Sequence, residues 1–182
     1  MSLRFFSVAT FLTFCFCSEE PNYPELNPEF ESFQDMSKGF PLIERWHVMY
    51  RNYEEDPVFG TDKCIRFYQE DSETNGEYPI TFDNGDDTKP VYGKVMLEPS
   101  EGYTVTNRVL VLPEGLKDPL TVYTTYMDPD AKCGVTRSAY ASDTACIVAV
   151  TESQLGKGLT ACDFVYDLLC GPEKFPIHDD SC

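Results

Sequence analysis

The sequence is poor in positive charge. Its 182 residues include 14 lysines and arginines against 31 aspartates and glutamates, so the formal net charge at pH 7 is −17. Nucleic acids and anionic membrane surfaces attract proteins through lysine and arginine, so neither suits this chain as a partner. The acidity favours solubility and would attract a cationic molecule. We therefore exclude nucleic-acid binding and membrane-surface binding as functions.

Histidine is scarce, and the sequence has no C-x-x-C motif. His47 and His178 are its two histidines. Structural zinc sites need closely spaced cysteines and histidines, and serine hydrolases need a nucleophile in a pattern such as G-x-S-x-G with a base near it in space. Neither arrangement is present. The sequence therefore predicts no metal site, no cofactor and no enzyme activity.

Long apolar runs are missing beyond the amino-terminal end. Arg4 precedes an apolar run from Phe5 to Phe14, which is too short to cross a bilayer and is typical of a secretory signal peptide. Small residues follow, and we place cleavage after Cys17, so that residues 1–17 are the signal peptide. The sequence therefore predicts a soluble, secreted, extracellular protein.

The cysteines predict disulfides rather than a metal site. Removal of the signal peptide leaves 8 − 2 = 6 cysteines, and an even number in a secreted chain indicates three disulfides. Cys162 and Cys170 fall on a predicted helix about 12 Å apart along its axis, beyond the reach of one disulfide. Cys133 and Cys146 could bridge the last hairpin or anchor this helix, and composition leaves both open. Because all six can pair internally, we expect a monomer.

From Trp46 onward the sequence has the texture of short β-strands. Val, Thr, Tyr and Ile are frequent, and turn residues interrupt them about every eight to twelve positions. Asn84–Gly85 predicts a tight hairpin turn, because both residues tolerate positive φ. Eight antiparallel strands can close into a barrel with room for one small ligand. The eight predicted strands lie near residues 45–53, 63–69, 78–83, 90–98, 103–112, 120–127, 132–139 and 144–151.

Two segments differ from this pattern. Residues 18–42 are rich in proline, acids and aromatics, and predict flanking sequence with a short helix around Glu31–Ser37. Residues 159–171 have helical spacing, with Thr160 and Asp163 as a predicted capping box and Gly171 as the stop. We expect this helix to pack on the outside of the sheet, and residues 43–182 to form one domain. Its predicted apolar stripe consists of Cys162, Val165, Tyr166 and Leu169.

Two stretches and two cysteines form a recognisable pattern: WHVMYRNYEEDPVFGTDKC (46–64), YMDPDAKC (126–133), Cys162 and Cys182. They resemble the lipocalins, and more closely the tick salivary lipocalins of the histamine-binding-protein type, and the resemblance covers most of residues 46–182. The usual lipocalin G-x-W motif is missing. The resemblance implies an all-β fold, an eight-stranded antiparallel lipocalin-like barrel with a C-terminal helix. The implied disulfides are Cys64–Cys182, Cys133–Cys162 and Cys146–Cys170.

The resemblance also implies a ligand and a site. Histamine binders of this family line one amine pocket from this region, and the matching positions are Tyr53, Asp56 and Phe59. A carboxylate can pair with an ammonium, an aromatic ring attracts it and a phenol adds a hydrogen bond. Asp-Pro and Gly are also ordinary turn residues, so a solvated turn is the alternative. The first hypothesis is therefore capture of a host biogenic amine, histamine or serotonin, which would suppress host inflammatory defence.

Other positions depart from the amine signature. Cys133-Gly134-Val135 has glycine where the family has an acid, and the next strand, 144–148, lacks the expected glutamate and aromatic residue. The second hypothesis is therefore a lipid mediator such as a leukotriene, a thromboxane or a fatty acid. Its apolar candidates are Val95, Leu97, Val105, Leu110, Leu112, Val122 and Val148. Its candidate bases are Arg45, Arg51, Arg66, Lys94, Arg108 and Arg137, which the sequence cannot orient.

A third hypothesis is a different class of function. Exposed loops could bind and inhibit a protein of host complement, coagulation or immune cells. The acidic N-terminal segment, with Tyr23, Phe30 and Phe33, could take part, although unordered flanking sequence is the simpler expectation.

Overall fold

The structure is a computed structural model that describes residues 22–85, 89–128 and 132–182. The predicted signal peptide lies outside these residues. Two short 3₁₀ helices, Pro28–Phe33 and Met36–Gly39, precede the sheet, and a third, Glu152–Gln154, follows its eighth strand. The other elements are β1 (Trp46–Arg51), β2 (Arg66–Gln69), β3 (Glu77–Asp83), β4 (Val91–Glu98), β5 (Arg108–Pro113), β6 (Leu120–Asp128), β7 (Cys133–Arg137), β8 (Cys146–Thr151), α1 (Thr160–Leu169) and β9 (Phe175–Pro176).

The first eight strands form a closed antiparallel barrel. Each strand from β2 to β8 pairs with its neighbour in the chain, β8 pairs with β1, and β1 also pairs with β2. The predicted lipocalin-like barrel is therefore confirmed. Alternate residues of each strand point inward. In β5, for example, Val109 and Val111 face the interior. The short strand β9 adds to β1 through Tyr50 and Arg51.

The predicted hairpin turn at Asn84–Gly85 and the predicted start of β5 are wrong. Residues 84–90 separate β3 from β4, and residues 86–88 of that connection lie outside the described chain, so Asn84–Gly85 is not a two-residue hairpin turn. The Asp83 carboxylate accepts the Gly85 N–H at 3.0 Å, which turns the chain away from the ladder. Strand β5 begins five residues later than predicted, because the Asn107 side chain accepts the Ser100 N–H at 2.8 Å and holds residues 100–107 in a loop.

The N-terminal segment packs onto the barrel, contrary to the expectation of an unordered flank. In place of one helix over 31–37 it has two 3₁₀ helices, and Asp35 begins the second by accepting the Ser37 N–H at 3.1 Å. Gln34, between them, is buried and donates to the carbonyls of Glu25 (2.6 Å) and Thr125 (3.4 Å). These hydrogen bonds of the buried side-chain amide fix Gln34 against the barrel, which explains why a single helix through this residue does not form.

The C-terminal helix packs outside the barrel, as predicted. Cys162 and Tyr166 are completely buried against β7 and β8. The predicted capping box is wrong: the residue before the helix is Leu159, no side chain caps it, and the Asp163 carboxylate instead accepts the Tyr50 hydroxyl. Gly171 follows the last turn with φ +89°, a conformation that ends a helix and suits glycine.

Three disulfides hold the chain ends and the helix to the barrel. Cys133–Cys162 joins β7 to α1, and Cys146–Cys170 joins β8 to the end of α1. Cys64–Cys182 joins the chain two residues before β2 to the C-terminus. These are the pairs that the family resemblance implies, and the hairpin bridge Cys133–Cys146 is not formed. Among the residues that the structure describes, no helix combines the length and the apolar character of a membrane span.

Candidate ligand site in the barrel lumen

The barrel encloses a cavity of about 150 Å³. Most of its wall is apolar, because the strands turn their Val, Ile and Phe residues inward. Met36, Phe40 and Leu42 of the N-terminal segment also line it and pack with Trp46. The wall contributed by the strands and their loops includes Trp46, Val48, Ile65, Phe67, Ile80, Phe82, Val95, Val109, Val111, Val122, Met127, Ile147 and Ala149.

Arg51 is the one lysine or arginine of the described chain that lines the cavity. Its side chain is 1% exposed. It donates hydrogen bonds to three backbone carbonyls, those of Tyr53 (3.0 Å), Glu54 (2.6 Å) and Gly60 (2.6 Å). Its guanidinium carbon lies 5.0 Å from the centre of the Tyr53 ring, a distance at which the ring face attracts a cation. The guanidinium is therefore held on several sides by the chain itself.

Asp56 lies beside Arg51, and internal donors surround its carboxylate. Oδ2 is 3.8 Å from the Arg51 guanidinium and accepts the hydroxyls of Tyr53 and Tyr140, each at 2.8 Å. Oδ1 accepts the N–H groups of Val58 (2.8 Å) and Phe59 (3.1 Å). The negative charge of Asp56 is therefore balanced within the protein.

The two tyrosines act as hydrogen-bond donors at every physiological pH. Burial is the main reason that the pKa of Tyr53 is raised, and the Asp56 charge raises it further. Burial is also the main reason that the pKa of Tyr140 is raised, and the neighbouring Tyr53 and Asp56 raise it further. Both phenols therefore keep their protons, and each can donate to the carboxylate.

The structure brings the three predicted site residues together around one turn. The backbones of Asp56 and Gly60 exchange two hydrogen bonds, of 2.8 and 2.7 Å, and Gly60 has φ +56°, so the stretch is a turn. That turn is not solvated at Asp56, which is 2% exposed. Asp56 and Phe59 line the cavity, and the Phe59 ring packs on Phe82 at 5.6 Å. Tyr53, also a described residue, does not itself line the cavity. Its hydroxyl donates a hydrogen bond to Asp56, which does.

Two contacts of the site were not predicted from the sequence, the pairing of Arg51 with Asp56 and the hydrogen bond from Tyr140 to Asp56. Arg51 was one of the six candidate bases. It lies in a strand just before Asp56, and this closeness in sequence is a signal that the two could meet. Strand periodicity alone does not identify the partner of an arginine. Tyr140 lies in the loop between β7 and β8, and no sequence pattern places it near Asp56. Both depend on how the loops fold over one end of the barrel.

The other five candidate bases are engaged away from the lumen. Arg45 lies over the Tyr68 ring at 5.0 Å. The remaining four form ion pairs, which are Arg66–Asp83, Lys94–Glu77, Arg108–Glu98 and Arg137–Glu25. Among the apolar candidates, Val95 and Val122 line the cavity, whereas Val148 packs towards α1.

An apolar side chain stands where the amine signature has an acid. Gly134 faces the lumen, and a Cβ at this position would lie 3.1 Å from Cε of Met127. Met127 therefore uses the space that a side chain at position 134 would need. Ile147, in the strand that lacks the expected glutamate, also lines the cavity.

The comparisons with known proteins agree with this architecture. The sequence model of a family described as tick histamine binding protein matches residues 25–182. The chain belongs to the tick histamine binding protein family. A solved structure with the same fold is Japanin from Rhipicephalus appendiculatus bound to cholesterol, with a TM-score of 0.55 and 12% sequence identity over 89% of this chain and 100% of that chain. The search of curated protein sequences finds no match.

The family is described by histamine binding, and a closed barrel of this kind can hold one small ligand, so the chain belongs to a family of ligand-binding barrels. Across the described ranges, no group of three or more His, Cys, Asp or Glu side chains is placed to hold a metal ion. The lumen is the candidate site: most of its wall is apolar, Arg51, Asp56 and Tyr140 form a polar end, and Thr136 and Ser138 also line it.

Proposed function

We propose that this protein binds and sequesters a small molecule with an apolar or aromatic body in its barrel lumen. The observation that carries the proposal is the apolar wall of the cavity, whose one buried carboxylate is already paired with Arg51. An ion that enters such a cavity without a counter-ion loses its hydration at high cost, whereas an apolar group gains from burial. The lumen therefore favours a ligand with little or no charge.

The volume of the cavity supports a compact ligand. An engineered apolar cavity of about 150 Å³ in another protein binds benzene. Pockets for drug-sized ligands are larger, about 300–1,000 Å³. At about 150 Å³, this lumen suits a molecule built on one ring. A sterol or a lipid mediator such as a leukotriene, a thromboxane or a fatty acid would require the lumen to widen.

Histamine or another biogenic amine is the second candidate. The support for it is that Asp56 and Phe59 line the lumen, that Tyr53 and Tyr140 donate to Asp56, and that the family is described by histamine binding. An ammonium could approach this carboxylate by sharing or displacing the contact with Arg51. The amine candidate therefore requires a rearrangement at the polar end, which an uncharged ligand does not.

We further propose that the protein is secreted, acts as a monomer, and withholds a host mediator so that host inflammatory defence is weakened. Three disulfides support an extracellular location, because such bonds persist in oxidising compartments. Membership of a tick family of small-molecule binders supports the role.

Propylbenzene and 2-phenylethylamine provide a direct test, because they have similar shape and differ by a methyl group against an ammonium. Trp46 is the one tryptophan of the sequence and lines the cavity, so its fluorescence should report entry of either probe. We expect propylbenzene to bind saturably. The affinity for 2-phenylethylamine at neutral pH should be lower by about tenfold or more. Histamine and cholesterol, titrated in the same way, extend the series to the two other ligand classes.

A pair of variants identifies the lumen as the site. Ala149 lines the cavity, so Ala149→Phe should fill it and weaken propylbenzene binding about tenfold or more. Ala161 is exposed on α1, so Ala161→Phe is the matched control and should leave binding unchanged. Tighter binding of 2-phenylethylamine than propylbenzene would establish the amine candidate instead. Absence of saturable binding by all four probes would overturn the proposal and favour a protein-binding role.

A further inference from the structure

We propose that Arg51 determines the ligand specificity of the lumen by acting as an internal cation in the place that Asp56 would offer to a ligand ammonium. This inference rests on the proposed function, since it takes the lumen to be the binding site. It assigns the rejection of amines to one side chain. It also predicts that removing the guanidinium converts the polar end into a site for alkylguanidinium and primary ammonium ions.

The argument begins with the contacts that an organic cation needs. A buried cation requires an opposite charge, acceptors for its N–H groups and, often, an aromatic face. The surroundings of Arg51 supply all three, in the Asp56 carboxylate at 3.8 Å, three backbone carbonyls at 2.6–3.0 Å and the Tyr53 ring at 5.0 Å. Each is already in contact with the Arg51 guanidinium. The site is therefore a complete cation site whose occupant belongs to the chain.

Burial makes this occupant difficult to replace. The side chains of Arg51 and Asp56 are each 1% exposed, so a displaced guanidinium would enter an apolar lumen rather than water. Arg51 is also covalently attached, which keeps its effective concentration at Asp56 far above that of a free amine. An amine would have to displace an arginine that the chain itself holds beside Asp56.

The carbonyls explain why the occupant is arginine. The guanidinium is planar and presents five N–H donors in fixed directions, whereas lysine presents one compact ammonium. Arg51 uses Nε for the Tyr53 carbonyl and Nη2 for those of Glu54 and Gly60. Without it, these carbonyls and the Asp56 carboxylate would lack their cationic partner. A replacement cation should therefore bind better the more N–H donors it carries.

Chemical rescue of Arg51→Ala tests the inference. The substitution removes atoms equivalent to ethylguanidinium, so this cation is the matched probe. We expect Arg51→Ala to melt at a lower temperature than the parent protein. Ethylguanidinium should raise that melting temperature saturably, ethylammonium should raise it less, and tetramethylammonium, which has no N–H donor, should not raise it. The parent protein should show no saturable shift with any of the three.

Two control variants make the rescue specific. Arg51→Ala/Asp56→Asn removes the carboxylate and should abolish the rescue. Arg137→Ala removes a second buried arginine that also contacts a carboxylate, a tyrosine ring and two carbonyls but does not line the cavity, and it should not respond to ethylguanidinium. Equal rescue of Arg137→Ala, or rescue that persists without the Asp56 carboxylate, would overturn the inference.

A second pair of variants keeps the inference testable if Arg51→Ala does not fold. Arg51→Gln removes the charge and should bind 2-phenylethylamine about tenfold or more tighter than the parent, whereas Arg51→Lys keeps a cation and should not. No gain of amine affinity in Arg51→Gln would overturn the inference. Propylbenzene binding by the parent separates this inference from the proposed function. If the parent binds propylbenzene and Arg51→Gln gains no amine affinity, only the role of Arg51 is overturned. If the parent does not bind propylbenzene, the proposed function fails.

Discussion

Two buried arginine–carboxylate pairs have the same construction in different regions of the molecule. The side chains of Arg51 and Asp56 are each 1% exposed, and those of Arg137 and Glu25 are 4% and 1% exposed. Both arginines lie over a tyrosine ring, Arg51 at 5.0 Å from Tyr53 and Arg137 at 4.9 Å from Tyr23. Both also donate to backbone carbonyls.

The pairs differ in what they connect. Arg51 and Asp56 lie five residues apart, and their pair shapes one turn that borders the lumen. Arg137 and Glu25 lie 112 residues apart, so their pair holds the N-terminal segment to β7. Arg137 also donates to the carbonyls of Asp143 (3.0 Å) and Leu169 (3.1 Å), which ties the end of α1 to the same point.

The comparison shows that position, rather than chemistry, separates a structural pair from a pair that bears on ligand choice. A buried pair of either kind is a weak source of net stability, because desolvation offsets the attraction, but the loss of one partner is costly. Only a pair on the cavity wall can also change what the cavity accepts.

The largest effect should come from Arg137→Met. Loss of the arginine leaves Glu25 buried without its cation and should lower the free energy of unfolding by about 3–5 kcal/mol. Urea denaturation measures the loss. Limited proteolysis should show faster cleavage within residues 22–42, while propylbenzene binding by the molecules that remain folded should change little. A loss below about 1 kcal/mol would show that the pair is dispensable.

A smaller difference should separate the hydroxyl donors of the two carboxylates. Tyr140 donates to Asp56 at 2.8 Å, whereas Thr125 donates to Glu25 at 3.3 Å. Tyr140→Phe should therefore destabilise by about 1.5–3 kcal/mol and Thr125→Val by about 1 kcal/mol, because a hydrogen bond to a charged group weakens as it lengthens. Urea denaturation of both variants and of the parent checks the order. The reverse order would contradict it.

The smallest effect concerns His47, which is buried and forms no ion pair with a carboxylate among the described residues. Burial is the main cause of its lowered pKa, and the adjacent His178 ring, 5.3 Å away, adds to it. Glu152 acts in the opposite direction, and Arg66 and Arg45 lower the pKa further. His47 is therefore neutral in the folded protein down to a lower pH than in the unfolded chain.

The sign of the pH effect follows from this difference. As the pH falls below about 6.5, the ordinary histidine pKa, the unfolded chain takes up a proton that the folded protein excludes, so stability decreases until the pH reaches the folded-state pKa. Melting temperatures of the parent and of His47→Phe between about pH 7.5 and 5.5 measure it. The parent should lose more stability on acidification than the variant. Equal losses would show that His47 does not contribute.

Much of the fold could be predicted because its signals are local. Strand periodicity predicted eight strands, and six of them begin within two residues of the observed position. The apolar stripe of Cys162 and Tyr166 predicted the face of α1 that is buried. The capping box failed because the Tyr50 hydroxyl, from a strand distant in the sequence, contacts Asp163. A local motif is thus overridden where a tertiary contact offers the same side chain another partner.

The site was predictable only in part. The resemblance placed Tyr53, Asp56 and Phe59 in one cluster, and the structure brings them together around the polar end of the lumen. It did not predict that Arg51 neutralises Asp56 or that Tyr140 donates to it. The N-terminal segment was expected to be a flank, yet Met36, Phe40 and Leu42 line the cavity, because their apolar side chains pack there with Trp46.

The sequence by itself determined the strands, the apolar stripe of the helix and an acidic chain unsuited to nucleic acid. Periodicity is a property of short stretches, and net charge is a sum over all residues, so neither depends on how the chain folds. The tertiary structure alone decided which of six basic side chains reaches the lumen and that it does so as the partner of Asp56. That outcome depends on barrel closure and on loops that bring Tyr140 to a turn 84 residues earlier. Charge inside a cavity is a sum over groups from distant parts of the chain, and no single stretch of sequence contains it.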